Sequence, residues 1–256
     1  MKNKYGENGV VIAVVVTAIL AVLCVSGYSR VCRVIYINSS FKLCAMDFIL
    51  FDVCNKAFAG ITVPLTSCVF LMRRKDRSYS ENYVVRSISR EHIADSFIVT
   101  ALVCTMLWVA VYMIVNGIMG YAVTGRLYNY DVIDSHYFYY TGYVAGKRYI
   151  MYMLVKIFIH SVLVIYARIM LCVALMAVLR KNWMVFTGTA VMLFSMPFSM
   201  FIRESSGIDW AEKMYLYYSY DRVFISEAAL LMAVCVVLCL FTRLFMRKRD
   251  FYEEKQ

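Results

Sequence analysis

Charged residues, proline and histidine are all scarce in this 256-residue sequence. Charged side chains make up 17% of it, and it contains only two prolines and three histidines. A disordered chain is excluded, because such chains combine few apolar residues with a high net charge. The low proline count also excludes Pro-rich linkers. The nine cysteines include no CxxC pair, and no Cys/His cluster has zinc-ligand spacing, so the sequence predicts no metal site.

Apolar residues are abundant instead, and they are gathered in long runs. They make up 62% of the sequence, and the mean hydropathy is +0.66. Even without the tyrosines this share exceeds the roughly 45–50% that is typical of soluble globular domains. The runs do not alternate apolar and polar residues as the strands of a membrane barrel do. The sequence therefore predicts an all-α, polytopic membrane protein and excludes an ordinary water-soluble enzyme.

Six stretches are suited to cross a bilayer, whose hydrocarbon core of about 30 Å needs about 20 helical residues. They are residues 10–26, 50–72, 97–119, 152–179, 183–202 and 223–244. The second stretch is the weakest, because its uncharged part begins only at Ala57. Together the six stretches predict one transmembrane domain over residues 1–256, with no soluble domain attached.

The distribution of Lys and Arg predicts the orientation, since cytoplasmic loops carry an excess of both. Fifteen of the 27 fall within four short segments, residues 1–8, 73–95, 180–182 and 243–256, and the longer segments on the other side hold eleven. Both termini are therefore predicted to be cytoplasmic, in a multi-pass protein of a bacterial-type cell membrane. This topology and contact with anionic lipid account for the net charge of +10, so no nucleic acid partner is expected.

The sizeable inside loop, residues 73–95, contains the pattern of a short amphipathic helix. Ser80 or Asn82 is suited to cap it, and apolar residues follow at three- and four-residue spacing as far as Ile93. Such a helix at the inner face of a membrane either lies among the lipid headgroups or docks into a groove on a cytoplasmic partner. Composition alone leaves both alternatives open.

The same loop carries a recognisable motif just before the third span. An acidic residue, a small gap and an apolar pair lead into a Ser-Ile-Ser-Arg core. The residues are Glu81, Val84, Val85, Arg86, Ser87, Ile88, Ser89, Arg90 and His92, and a basic-Asp-Phe sequence follows the last span at residues 247–251. These features, with the six spans, resemble the membrane permeases of type-2 ABC exporters. The short segment before the first span and the long 120–149 loop depart from that pattern, as in a diverged or accessory permease.

The resemblance implies a role for the loop. A coupling helix within Val85–Ile93 would sit in a cleft of a separate ABC ATPase subunit, through Val85, Arg86, Ser87, Ile88, Ser89, Arg90 and His92. ATP and Mg²⁺ would be bound by that partner, because this chain has no GxxxxGK[ST] loop. The chain itself would need no cofactor and would not be an enzyme. It would pair with a second copy or with a sibling permease, surrounded by membrane lipid.

Charged and polar residues within the spans are the candidates for contact with a substrate, because they are costly at membrane depth. Arg168 is the deepest, and it either contacts substrate or is satisfied by helix carbonyls. Lys156 and His160 are four residues apart and share a helix face. Glu227, near the start of the last span, is a candidate partner for Arg168 or Lys156 if the helices are adjacent.

Two other classes of function remain open from the sequence. One is a stand-alone membrane enzyme that uses Asp47, Asp52 or His160, although no HExxH or GxSxG motif is present. The other is a non-catalytic immunity or assembly protein. Cys32 and Cys44 share the first outside loop, where they either form a disulfide or stay as free thiols.

Overall fold

The computed structural model describes residues 42–53, 60–61, 63–78, 90–179, 181–195, 215 and 217–248. Within them the named helices are α1 (Ala45–Val53), α2 (Val63–Ser78), α3 (Arg90–Thr124), α4 (His136–Thr141), α5 (Lys147–Val178), α6 (Asn182–Ser195) and α7 (Asp221–Lys248). About 86% of this described part is helical, and it contains no strand beyond an isolated bridge between Lys42 and Ser135. The prediction of a helical chain is confirmed to this extent.

Three of the described helices, α3, α5 and α7, are long and apolar enough to cross a membrane. The predicted spans 97–119 and 223–244 lie entirely within α3 and α7, and the span 152–179 lies within α5 except for its last residue. α3 and α7 also expose large apolar side chains, among them Leu107 and Val237, which suits helices that face lipid. Membrane character is therefore supported by three helices.

The other three predicted spans are described only in part or not at all. Residues 10–26 lie outside the described residues. The stretch 50–72 is divided between α1 and α2, with 54–59 and 62 not described, and the stretch 183–202 is described as α6 as far as Ser195. Six spans and two cytoplasmic termini therefore stay predictions.

The helix ends follow from local sequence. α3 ends where Gly125 adopts a φ of 67°, and α4 ends at Gly142 with a φ of 75°, a backbone region that glycine occupies without strain. Ser135 caps α4, because its hydroxyl accepts a hydrogen bond from the Phe138 amide at 3.1 Å. Pro64 lies in the first turn of α2, where its missing N–H costs nothing.

The chain divides into two compact units. Unit 1 comprises residues 1–59, 108–161 and 197–228, and unit 2 comprises residues 60–107, 162–196 and 229–256. Each of the helices α3, α5 and α7 has one part in unit 1 and the other part in unit 2.

In unit 1, α1 packs closely on α3. A side-chain carbon added to Gly120 of α3 would lie only 2.7 Å from the Ala45 Cα, so glycine permits this approach. The chain before α1 is fixed to the loop after α3 by backbone hydrogen bonds. The Lys42 amide donates to the Asp134 carbonyl at 2.9 Å, and the Ala45 amide donates to the Arg126 carbonyl at 3.0 Å. Residues 42–47 and the 126–136 loop therefore form one ordered region.

In unit 2, α2 packs against α6. The Cys68 thiol lies 3.8 Å from the Thr189 hydroxyl. Lys75 of α2 is buried, and its ammonium lies 3.3 Å from the Asn182 side-chain oxygen and 3.5 Å from the Leu179 carbonyl. A cation at this place compensates the negative end of α5.

Candidate functional site

Two ionisable residues, Lys156 and His160, lie on the first half of α5, in unit 1. Lys156 and His160 are one turn apart, so they project from the same face of the helix. Both side chains are buried. A buried charge is stable only when it is paired and hydrogen-bonded. The chemical role of these two residues therefore depends on the groups that contact them.

The Lys156 ammonium is enclosed by oxygen acceptors and aromatic rings. It forms an ion pair with Asp221, the first residue of α7, and donates to the Tyr218 carbonyl at 2.9 Å. It lies 4.4 Å from the centre of the Tyr152 ring and 5.5 Å from that of Phe224, within the range of cation–π attraction.

His160 joins the same two helices one turn further along α5. Its Nε2 lies 3.5 Å from Oε1 of Glu227, and its Nδ1 is hydrogen-bonded to the Tyr218 hydroxyl at 2.9 Å. The Tyr217 ring packs on the imidazole, with 5.1 Å between ring centres. Two of the candidates named from the sequence, His160 and Glu227, are therefore brought together, whereas Lys156 is paired with Asp221.

Five further residues complete this site, and none of them stands out in the sequence as a candidate. They are Tyr152, Tyr217, Tyr218, Asp221 and Phe224. Two signals pointed to some of them: Tyr152 precedes Lys156 by one helical turn, and the run YLYYSY ends directly before Asp221. Tyr217 and Tyr218 are fully buried, so the run contributes to the interior of unit 1.

A second buried polar network of unit 1 is centred on Asp47 of α1. One carboxylate oxygen accepts hydrogen bonds from the hydroxyls of Tyr130 and Tyr215, and the other accepts one from the Cys44 amide at 2.8 Å. The Tyr215 hydroxyl also lies 3.0 Å from Nδ1 of His136. Asp47 therefore joins α1, the loop after α3 and the segment before α7. The Asp47 carboxylate and the hydroxyls of Tyr130 and Tyr215 each have a hydrogen-bond partner within this network.

Burial changes the proton affinity of this network, which lies outside the candidate spans. The pKa of His136 is lowered mainly by burial, and the Asp47 charge opposes that change. Burial, with the Asp47 charge adding to it, raises the pKa of the Tyr130 hydroxyl and of the Cys44 thiol. None of these three side chains therefore adds a charge to the network at neutral pH. Cys44 is a free, buried thiol.

Arg168 lies in unit 2, on the second half of α5. Its guanidinium is buried and donates a hydrogen bond to the Gly60 carbonyl at 2.5 Å. A backbone carbonyl as acceptor is the arrangement expected of a structural arginine, one of the two alternatives left open by the sequence. The other alternative, a contact with substrate, is not tested by this bond.

The residues expected to contact an ATPase are described only at one end. Val85, Arg86, Ser87, Ile88 and Ser89 lie outside the described residues. Arg90 is the first residue of α3, and His92 is exposed.

The start of α3 is joined to α2 and α7 within unit 2. Arg74 donates to the Ser96 hydroxyl at 2.7 Å. Arg243 and Asp95 form an ion pair at 2.6 Å, and Arg247 and Glu91 form one at 3.7 Å. The two ion pairs are one turn apart on both helices, so they form a short ladder between antiparallel helix ends.

Among the described residues, no group of three or more His, Cys, Asp or Glu side chains is arranged to hold a metal ion. The acidic residue Asp52 lies in α1, but its side chain is outside the described part of the structure. Comparison of the chain with protein-family models, with curated proteins and with solved structures finds no match.

Proposed function

We propose that this chain is the permease subunit of an ATP-driven ABC exporter in a cell membrane. It is coupled through residues 73–95 to a separate ATPase subunit and pairs with a second copy or a sibling permease. The proposal rests first on the Ser-Ile-Ser-Arg motif of that segment. The structural observation that carries it is the continuity of α3, which begins at Arg90 within the segment and runs without a break to Thr124.

A continuous helix transmits a displacement of its end along its whole length. α3 has 35 residues, which corresponds to about 52 Å at 1.5 Å per residue. Movement of its first turn would therefore reach the far end of the candidate span. In the proposed cycle, ATP and Mg²⁺ bound in the partner supply the energy, and this chain converts the partner's closure into movement of its spans.

The contacts of the first turns of α3 support the same role. Arg74 of α2 and the α7 residues Arg243 and Arg247 hold these turns. Single exposed ion pairs contribute little, about 0–1 kcal/mol each. In this proposal their role is to connect the helices, because a movement of α3 at this end is passed to α2 and α7 as well.

Co-purification of an ATPase tests the proposal. The chain is isolated from its native membranes in a mild detergent. Co-purifying protein is then identified by mass spectrometry and assayed for ATP hydrolysis. We expect a subunit with a GxxxxGK[ST] loop, and we expect Arg90→Glu to reduce its amount at least about tenfold, the effect of about 1.4 kcal/mol.

Arg126→Glu is the matched control. Arg126 is an exposed arginine just beyond the other end of α3, so the same charge reversal there should leave the ATPase bound. The proposal fails if no such ATPase accompanies the unmodified chain, or if both variants release it equally.

A further inference from the structure

Two buried cysteine thiols meet between α2 and α5 in unit 2. Cys68 of α2 and Cys172 of α5 are both fully buried and free, and their thiols are hydrogen-bonded to each other. The two residues are far apart in the sequence and belong to no CxxC pair, so helix packing creates the contact. Two thiols that already touch need only approach further to reach the S–S bond length of about 2.05 Å.

A third helix closes this contact. The Thr189 hydroxyl of α6 lies 3.8 Å from the Cys68 sulfur, and it is also hydrogen-bonded to Cys172. The hydroxyl donates its own proton to the Val185 carbonyl of α6 at 2.7 Å. Its oxygen is therefore oriented as an acceptor for the thiols. The two sulfurs are held side by side by residues of three helices.

Cys235 and Cys239 of α7 give a comparison within the same unit. The Cys235 thiol lies 3.9 Å from the Leu163 carbonyl, and the Cys239 sulfur lies 3.5 Å from the Tyr166 hydroxyl. Because they are four residues apart on one helix, their Cβ atoms are about 5–6 Å apart. A disulfide needs a Cβ–Cβ distance of about 3.5–4.5 Å. These two neighbouring cysteines are therefore unsuited to form a bridge, although their surroundings are also apolar.

The position of Cys68 indicates how long such a bond would persist. Arg73, the start of the segment predicted to be cytoplasmic, follows Cys68 in α2 by little more than one helical turn. Cytosolic thiols are kept reduced, and the disulfides that do form in the cytosol are mostly transient and redox-sensing. A bond close to that side of the membrane is therefore expected to be reversible.

We propose that Cys68 and Cys172 form a reversible, redox-sensitive disulfide, with hydrogen peroxide as the oxidant. In the first step one thiol is oxidised to a sulfenic acid: an S–O bond forms, the O–O bond breaks and one water leaves. The second thiol then attacks that sulfur, the S–S bond forms, the S–O bond breaks and a second water leaves. The two thiols together lose two electrons, which reduce the peroxide. Burial slows the first step, whereas the contact between the sulfurs makes the second step intramolecular.

The bond has a consequence for the movement of α2. In the permease role proposed above, on which this step rests, α2 extends into the coupling segment and Arg74 joins it to Ser96 of α3. A covalent bond from Cys68 to α5 fastens α2 within unit 2. It therefore restrains the movement that the ATPase partner would drive, so peroxide would slow the transport cycle.

Peroxide treatment of the unmodified full-length chain in mild detergent tests the disulfide. The reduced protein is exposed to hydrogen peroxide for a series of times and denatured, and the remaining thiols are blocked with N-ethylmaleimide. Its peptides are then analysed by mass spectrometry without reduction. We expect the bond between Cys68 and Cys172 to be at least about tenfold more abundant than a bond between Cys235 and Cys239. Dithiothreitol should remove it.

Cys172→Ser and Cys239→Ser are matched variants, because each replaces one thiol of a neighbouring pair by a hydroxyl. Cys172→Ser should leave Cys68 as a thiol or a sulfenic acid, and Cys239→Ser should leave the bond between Cys68 and Cys172 unchanged. The half-buried Cys104 shows whether the oxidant has reached the chain. The measurement on the unmodified chain stands even if a variant does not fold.

The outcomes separate this inference from the proposed function. Equal amounts of the two bonds would overturn it, as would a Cys68 that stays a free thiol after Cys104 has been oxidised. No ATPase and no ATP are present in the assay. A positive result therefore establishes the disulfide even if no ATPase accompanies the chain, and a negative result leaves the co-purification experiment unaffected.

Discussion

The contact between α1 and α3 in unit 1 gives a prediction with an internal control. Gly117 and Gly120 lie one turn apart on α3, and both become alanine in the proposed variants. A Cβ at position 120 would lie 2.7 Å from the Ala45 Cα and 3.0 Å from the Phe48 Cβ. A Cβ at position 117 would meet only the end of the Ile49 side chain, at 3.4 Å.

The magnitudes follow from two opposing effects. Replacing glycine by alanine inside a helix favours folding by up to about 1 kcal/mol, and this gain is the same at both positions. Overpacking against atoms that cannot move costs about 1–3 kcal/mol. At position 120 the obstacle is backbone, so α1 must shift, whereas at position 117 a flexible methyl group gives way. We expect Gly120→Ala to be less stable than Gly117→Ala by about 1–3 kcal/mol.

Thermal unfolding in detergent, followed by tryptophan fluorescence, measures the difference. About 2–4 °C per kcal/mol is expected for a protein of this size, so the midpoint of Gly120→Ala should lie roughly 2–12 °C below that of Gly117→Ala. Gly120→Ser, which adds a still larger side chain, should lie lower again. Equal midpoints for the two alanine variants would refute the close approach of α1 to α3.

Three further predictions concern the Asp47 network. Because burial lowers the pKa of His136, the unfolded chain binds more protons than the folded one below about pH 6.5. The contribution of His136 to the free energy of unfolding should therefore be complete above that pH and decline as the pH falls toward the pKa of the folded state. In unfolding curves measured at a series of pH values, His136→Gln should flatten that decline. Asp47→Ala removes the acceptor of the buried Tyr130 hydroxyl and one of the two polar neighbours of the Tyr215 hydroxyl, so it should cost about 1–3 kcal/mol and lower the unfolding midpoint more than Asp134→Ala at the exposed pair with Lys42. The Cys44 thiol is buried and its pKa is raised, so maleimide should leave it unmodified in the folded chain at pH 7–8 and modify it after denaturation. Peptide mass spectrometry measures the modification. Rapid labelling of Cys44 in the folded chain would contradict its burial.

The sequence predicts where the long helices lie, but it does not predict which residues of different helices are in contact. The stretches 97–119, 152–179 and 223–244 are apolar over a length that a helix alone can use in a bilayer, and the structure has a helix at each. Glu227 illustrates the limit. Its distance from Lys156 and Arg168 was unknown, because buried and lipid-facing apolar faces have similar composition in membrane helices. Which basic residue it meets is decided by helix rotation, and the structure places it at His160.

The candidate site shows the same limit in more detail. Lys156 and His160 could be recognised because ionisable residues stand out in an apolar run. The surrounding tyrosines could not, since tyrosine also occurs at membrane interfaces and the YLYYSY run has that composition. Their role depends on contacts between residues about 60 positions apart, such as Lys156 with Tyr218, which no local pattern encodes. The coupling residues 85–89 remain predictions from the motif alone.

The hydrogen bond between Asp47 and Tyr215 has a consequence for biosynthesis. The two residues are 168 positions apart, and a ribosome that adds about 5–20 residues per second needs roughly 8–34 s to cover that distance. During this interval the newly synthesised Asp47 carboxylate lacks one of its hydroxyl donors. A nascent chain that stops before Tyr215 therefore presents an incompletely satisfied acid in its first half.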